Sequence, residues 1–239
     1  MSNDYDQLLV SALGLLLQAD SELWGIVAVS LKVSLTALLI ALVPAIFLAY
    51  TMVWARGFPR KTMLLVMRTL QSFPTVVIGL ILYLALSRQG FFGHLELLFT
   101  TKAMIIAQVL LAFPILVTLA FSGFFSLQNK AMETAITLGM GRWSRLLLMA
   151  WECRLSLVTA LVTALARIIT EVGCSMMVGG NILYVTRNIP TAIALETAKG
   201  NFAQGVALGI VMLTMALCLN FVMSSLDGQR PGGHYEGRA

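Results

Sequence analysis

Five long apolar stretches divide the chain: Leu23–Met52, Met63–Leu86, Ala103–Phe124, Leu155–Val178 and Phe202–Leu226. Each reaches or exceeds the roughly 20 residues a helix needs to cross the hydrocarbon. No water is present there to satisfy a backbone, so each must be helical and complete its own hydrogen bonds. The first is longer than one crossing requires. Lys32, near its start, can carry its ammonium outward along its own apolar stem, which shortens the apolar part. A sixth stretch, Leu8–Leu17, is about half a span long and reads as a helix lying on the membrane surface. No repeat of 20 to 50 residues is evident.

Composition supports the bilayer reading. The 239 residues are 59% hydrophobic and 11% charged, with a mean hydropathy of +0.88, where a soluble domain carries about 25% charged residues. The net charge of +5 would suggest nucleic acid in a soluble protein. Here the cations sit between apolar stretches, where positive charge sets orientation. Arg56, Arg60 and Lys61 crowd the first connection, Lys130, Arg142, Arg145 and Arg154 the third, and Arg230 and Arg238 the tail. The acidic start (Asp4, Asp6, Asp20, Glu22) and the two remaining connections are weaker. The bias puts the N-terminus outside and the C-terminus in the cytoplasm, and an odd number of spans agrees with it. The acidic start also does not read as a secretory signal. The expectation is an all-α integral membrane protein in which residues 1–239 form a single transmembrane domain, with 126–151 a cytoplasmic loop and 179–201 an outer loop. Cys153, Cys174 and Cys218 have no CxxC spacing and read as small apolar residues, so no metal site is expected.

Pro44, Pro74 and Pro114 lie inside three of the spans. Each removes a backbone donor and kinks its helix, a common feature of membrane helices that also leaves room for a path. Arg167 and Glu171 lie four apart in the fourth span and share one helix face. Ionisable groups there are costly and are functional candidates. The pair either simply neutralises itself or holds a bend or interface that shifts between states. A fixed carboxylate beside Arg167 would repel a dianion, so a weakly binding pathway of polar donors and mobile apolar gates is expected. Ser175, Met176 and Met177 follow on the same span, as gate candidates or as packing filler.

The most informative stretch begins Ser126-Leu-Gln-Asn-Lys-Ala-Met-Glu-Thr-Ala-Ile-Thr-Leu-Gly-Met-Gly-Arg-Trp. Glu133, Thr134 and Ala135 fall in a short helix, where Ala135 permits close approach to a groove and Glu133 is favoured by the dipole near the helix start. Gly139 and Gly141 break that helix. Arg142 and Trp143 open a second one that runs into the fourth span. On the outer side, Gly179, Gly180 and Asn181 suggest a turn with unusual backbone angles, and Ile189–Ala198 a short surface helix. Arg187 and Lys199 there either steer an anion or pair with a partner, or are solvated charge.

Glu133-Thr134-Ala135-x3-Gly139 resembles the EAA loop of ABC importer permeases. In that family the loop supplies a coupling helix that docks into the ATP-hydrolysing subunit. Many members carry Leu-Pro some eighteen residues beyond the Glu, whereas this chain has Trp151-Glu152, a departure that the tungstate branch shares. Pro74-Thr-Val-Val-Ile-Gly-Leu80, Leu86-Ser-Arg88, Ala103-Met-Ile-Ile-Ala-Gln108, Ala166-Arg-Ile-Ile-Thr-Glu-Val-Gly173, Met177-Val-Gly-Gly-Asn-Ile182 and Thr191-Ala-Ile-Ala-Leu-Glu-Thr197 are similar to that branch. Molybdate permeases look similar around Arg-x3-Glu-x-Gly and Gly-Asn-Ile.

The resemblance implies a type I importer fold, a homodimer, two ATP-binding cassette subunits and an extracytoplasmic substrate-binding protein, in a bacterial or archaeal cytoplasmic membrane. It implies oxyanion transport, with tungstate first and molybdate, vanadate or sulfate as alternatives. It also implies ATPase coupling through Glu133, Thr134, Ala135, Gly139, Arg142 and Trp143, and docking of the binding protein near Asn181, Arg187 and Lys199. No cofactor is expected in the chain itself; ATP and Mg would be bound by the partner ATPase.

Two rival classes are weighed against this. An intramembrane enzyme needs a nucleophile with a base, or a metal; His94 and His234 fall in an outer loop and the tail, and the chain has no HExxH pattern, so no catalytic residue is assigned. It has no GxxxxGK[ST] pattern either, so any ATP hydrolysis must come from a partner. An ATPase-independent channel or secondary transporter would show more spans or midplane ionisable sites.

Overall fold

The computed structural model describes residues 2–18, 20–137 and 139–227, with side chains described for 10–18, 20–127, 137 and 139–225. All regular structure among the described residues is helical apart from turns.

Helix α1 (Ser2–Leu17) leads into α2 (Ser21–Trp54). Asp20 starts α2: its carboxylate accepts from the Leu23 N–H at 2.9 Å, and Glu22 adds negative charge to the first turn. Ala37, Ala41, Ala45 and Ala49 recur every fourth residue on α2 and are fully buried. They face α5 (Thr101–Thr137), the helix with which α2 makes its most extensive contact and which brings Ala103, Ala107, Ala112 and Ala120 into the same core. Between membrane helices there is little hydrophobic drive, so such small residues gain cohesion by letting backbones approach. A second cluster joins Ala12 of α1 to Leu23 and Ile26 of α2, Ile189 and Ala192 of α9 (Ile189–Ala198), and Ala207 and Leu208 of α10 (Phe202–Asp227). Thus α1 packs on α10.

Among the described residues, three helices are long and apolar enough to cross a membrane alone: α2, Thr101–Leu127 of α5, and Phe202–Ser225 of α10. Two bent pairs raise the number to as many as five. The first pair corrects the expectation of one kinked helix over Met63–Leu86. It is α3 (Phe58–Ser72) and α4 (Thr75–Leu86), set at 93° on either side of Phe73-Pro74. Pro44 and Pro114, by contrast, stay inside continuous helices. The second pair is α6 (Arg142–Glu152) and α7 (Arg154–Ile169), bent by 72° at Cys153.

The fourth span expected over Leu155–Val178 is also not one helix. It stops at Ile169 and resumes as α8 (Gly173–Gly179). The segment carrying Glu133, Thr134 and Ala135 is not a separate short helix either, because the backbone of α5 continues unbroken to Thr137. The side chains of these three residues lie outside the described ones.

Candidate functional site

The interruption after α7 is built by Glu171. Its Oε2 accepts from Arg167 Nη1 at 2.8 Å, and its Oε1 from the Cys174 backbone N–H at 3.3 Å. A carboxylate that bonds its own downstream backbone offers the chain an alternative to the helical ladder. Glu171 is buried, with a side chain 5% exposed, whereas that of Arg167 is 43% exposed. The ion pair expected on one helix face therefore spans the end of α7 and the break.

α8 packs chiefly on α4, the other half-helix. A Cβ on Gly79 of α4 would lie 2.9 Å from the Cys174 Cα, and one on Gly173 would lie 2.6 Å from Val76 Cγ2. The two interrupted spans are thus pressed together at glycine. Of the gate candidates, Ser175 is buried, Met177 lies against Gly79, and Met176 is exposed.

Arg167 opens onto a narrow cleft shared with Gln71, Phe73 and Thr75 at the α3–α4 break and with Leu111 and Ile115 of α5. Gln71 Nε2 donates to the Pro114 carbonyl at 2.9 Å and to Thr118 Oγ1 at 2.7 Å, tying α3 to α5. No side chain caps the N-terminus of α4. A guanidinium, a hydroxyl and an uncapped helix N-terminus are all suited to oxyanion oxygens. The neighbouring carboxylate offsets the positive charge, which suits passage better than retention.

Sequence reasoning missed Gln71 and Gln108. Gln108 is buried in α5, and its Nε2 donates to the Ile168 carbonyl at the end of α7 at 3.4 Å. Amides inside apolar spans were the available signal.

At the other candidate sites, Gly139 has φ +68° and a Cβ there would meet nothing within 4 Å. Gly141 precedes α6. Arg142 and Trp143 open α6 and are exposed, and the Arg142 carbonyl accepts from Tyr50 Oη at 3.3 Å. In the 179–201 region, Gly180 and Asn181 both have positive φ, at 67° and 54°, as their turn requires.

α9 keeps the expected bounds but is not a surface helix: Ile189, Pro190, Thr191, Ala192 and Glu196 are buried. Its start is fixed by a reciprocal capping box between Asn188 and Thr191. The Ile189 N–H also donates to Ser30 Oγ of α2 at 2.7 Å. Neither cation of this loop stands alone. Arg187 Nη1 lies 3.4 Å from Glu22 Oε1, and Lys199 Nζ lies 2.9 Å from Glu196 Oε1. Lys199, together with Asn201 and the charge of Arg187, holds the Glu196 carboxyl below the usual carboxylate range against the opposing effect of burial. Among the described residues, no group of three or more His, Cys, Asp or Glu is placed to hold a metal.

By sequence, the chain is similar to membrane transport subunits. The chain is 45% identical to the tungstate uptake system permease protein TupB of Campylobacter jejuni over 68% of each chain. It is 39% identical to a probable anion ABC transporter permease protein of Haloferax volcanii, over 90% of this chain and 94% of that one. It is 36% identical to the tungstate uptake system permease protein TupB of Peptoclostridium acidaminophilum, over 91% and 95%. No protein-family model matches the chain.

Proposed function

The chain belongs to the tungstate-type branch of the ABC importer permeases, and from that premise we propose that it forms the membrane pathway for tungstate. It is a multi-pass membrane transport subunit and not itself an enzyme. In the proposal two copies form the pathway in a prokaryotic cytoplasmic membrane, N-terminus outside and C-terminus inside. Two ATPase subunits bind ATP and Mg on the cytoplasmic face, and a substrate-binding protein delivers the anion from outside.

One observation carries the mechanism. Leu111 and Ile115, which line the Arg167 cleft, lie on the same unbroken helix as Glu133, Thr134 and Ala135. A push on the segment that ends at the Gly139 turn is therefore transmitted along α5 to the cleft. Glu133, Thr134, Ala135, Gly139, Arg142 and Trp143 form the coupling surface. Arg167, Glu171, Ser175, Met176 and Met177 line or gate the path. Asn181, Arg187 and Lys199 lie in the outer loop that meets the binding protein.

The test is ATP hydrolysis by the transporter reconstituted with its ATPase and with binding protein loaded in turn with tungstate, molybdate, vanadate or sulfate. Stimulation by the tungstate-loaded form alone is expected. Stimulation by another anion replaces the cargo and leaves the class. Transport with no ATPase present overturns the reading in favour of a secondary carrier or channel.

A further inference from the structure

A wider cleft lies away from the Arg167 break, between the end of α2 and the start of α6, with a volume of about 590 Å³. Phe47, Tyr50 and Trp54 of α2 form one wall at helical spacing, and Arg142, Trp143 and Arg145 of α6 form the other. Trp143 stacks on Phe47 with ring centroids 6.3 Å apart, and the Arg145 guanidinium carbon lies 5.5 Å from the centre of the Trp54 ring. Arg145 Nε is buried and makes no hydrogen bond. No carboxylate lines the cleft among the described residues.

α6 cannot continue the span of α7, because the two helices meet at 72°. Its residues Trp143, Leu147 and Trp151, spaced by four, are 72%, 70% and 67% exposed. A helix with such an apolar stripe and a basic flank, joined to a span by a sharp bend, fits the membrane–water boundary. Aromatic and basic residues at the end of a span belong at the same level.

We propose that the α2–α6 cleft binds the phosphate headgroup of an anionic phospholipid, on the side that the orientation above makes cytoplasmic. The headgroup phosphate sits against the Arg145 guanidinium, which no carboxylate of the cleft neutralises among the described residues. The acyl chains lie along Leu147 and Trp151, the exposed apolar residues of α6 beyond the coupling surface. The site is separate from the pathway.

The test uses the transporter assembled with its ATPase in phosphatidylcholine nanodiscs with graded phosphatidylglycerol. Brominated phosphatidylglycerol should quench tryptophan fluorescence more than brominated phosphatidylcholine at equal mole fraction. Arg145→Gln should lower that preference about fivefold, and Arg145→Lys should keep most of it. Arg88→Gln, in another connection, should leave it unchanged. Detergent-stripped wild-type transporter should also rebind phosphatidylglycerol saturably, a measurement that needs no variant. Unsaturable binding, or equal quenching by the two lipids, overturns the proposal. So does displacement by inorganic phosphate, which would make the cleft a free-anion site. A preference that appears only without the ATPase overturns it in favour of a protein contact. None of these readouts depends on transport, so their failure leaves the permease reading intact.

Discussion

Arg167 and Glu171 form an ion pair 2.8 Å long whose carboxylate is buried while its guanidinium is nearly half exposed. The asymmetry means that the acid depends on the base more than the base depends on the acid. Arg167→Ala leaves an uncompensated carboxylate and should destabilise by about 1–3 kcal/mol. The double change Arg167→Ala with Glu171→Ala should be less harmful. Thermal unfolding of the purified transporter distinguishes them, and equal losses would mean that the pair is not coupled.

Gly173 and Val76 test the contact between the two interrupted spans. Gly173→Ala brings a Cβ against Val76 Cγ2 and should cost about 1–3 kcal/mol through overpacking. Adding Val76→Ala removes the opposing methyl and should restore most of the stability and transport. If the second change restores neither, the close approach is not what glycine serves there.

At Gly139 the constraint is conformational, since its φ is +68° and the surrounding space is open. Gly139→Val should cost about 1–2 kcal/mol and disturb the turn, whereas Gly139→Asn should be tolerated better. The expected result is a higher ratio of ATP hydrolysed to anion transported for valine than for asparagine. Glu133→Lys should likewise uncouple hydrolysis. Unchanged ratios would move the coupling surface elsewhere.

Glu196 gives the outer loop a pH dependence. Its carboxyl is held low chiefly by Lys199, so the folded loop prefers the ionised form. That stabilisation is present above the ordinary carboxylate range and is lost as pH falls through the depressed folded value. Hydrogen exchange in α9 should stay slow at neutral pH and rise in acid. Lys199→Met should shift the rise to higher pH; an unshifted profile would remove Lys199 as its cause.

Much of the architecture was legible because it follows from local rules. Apolar length marked the spans, Gly180-Asn181 marked a left-handed turn, and the bounds of α9 followed from its sequence. The breaks were not legible for the same reason in both spans: each is decided by packing. Three prolines looked alike in the sequence, yet only Pro74 accompanies a right-angled turn, where α4 must meet α8 at Gly79 and Gly173. The second break has no proline and depends on which atoms Glu171 reaches. Arg187 was open to anion steering, to a partner protein or to solvent, and its partner within the chain, Glu22, was hidden by a separation of 165 residues.

The clamp between α4 and α8 limits how the protein can move. At Gly79 and at Gly173 the two half-helices leave no room even for a Cβ, so neither can take a larger side chain there while the other stays in place. Helices packed this closely shift together, so a displacement arriving through either span is shared by both.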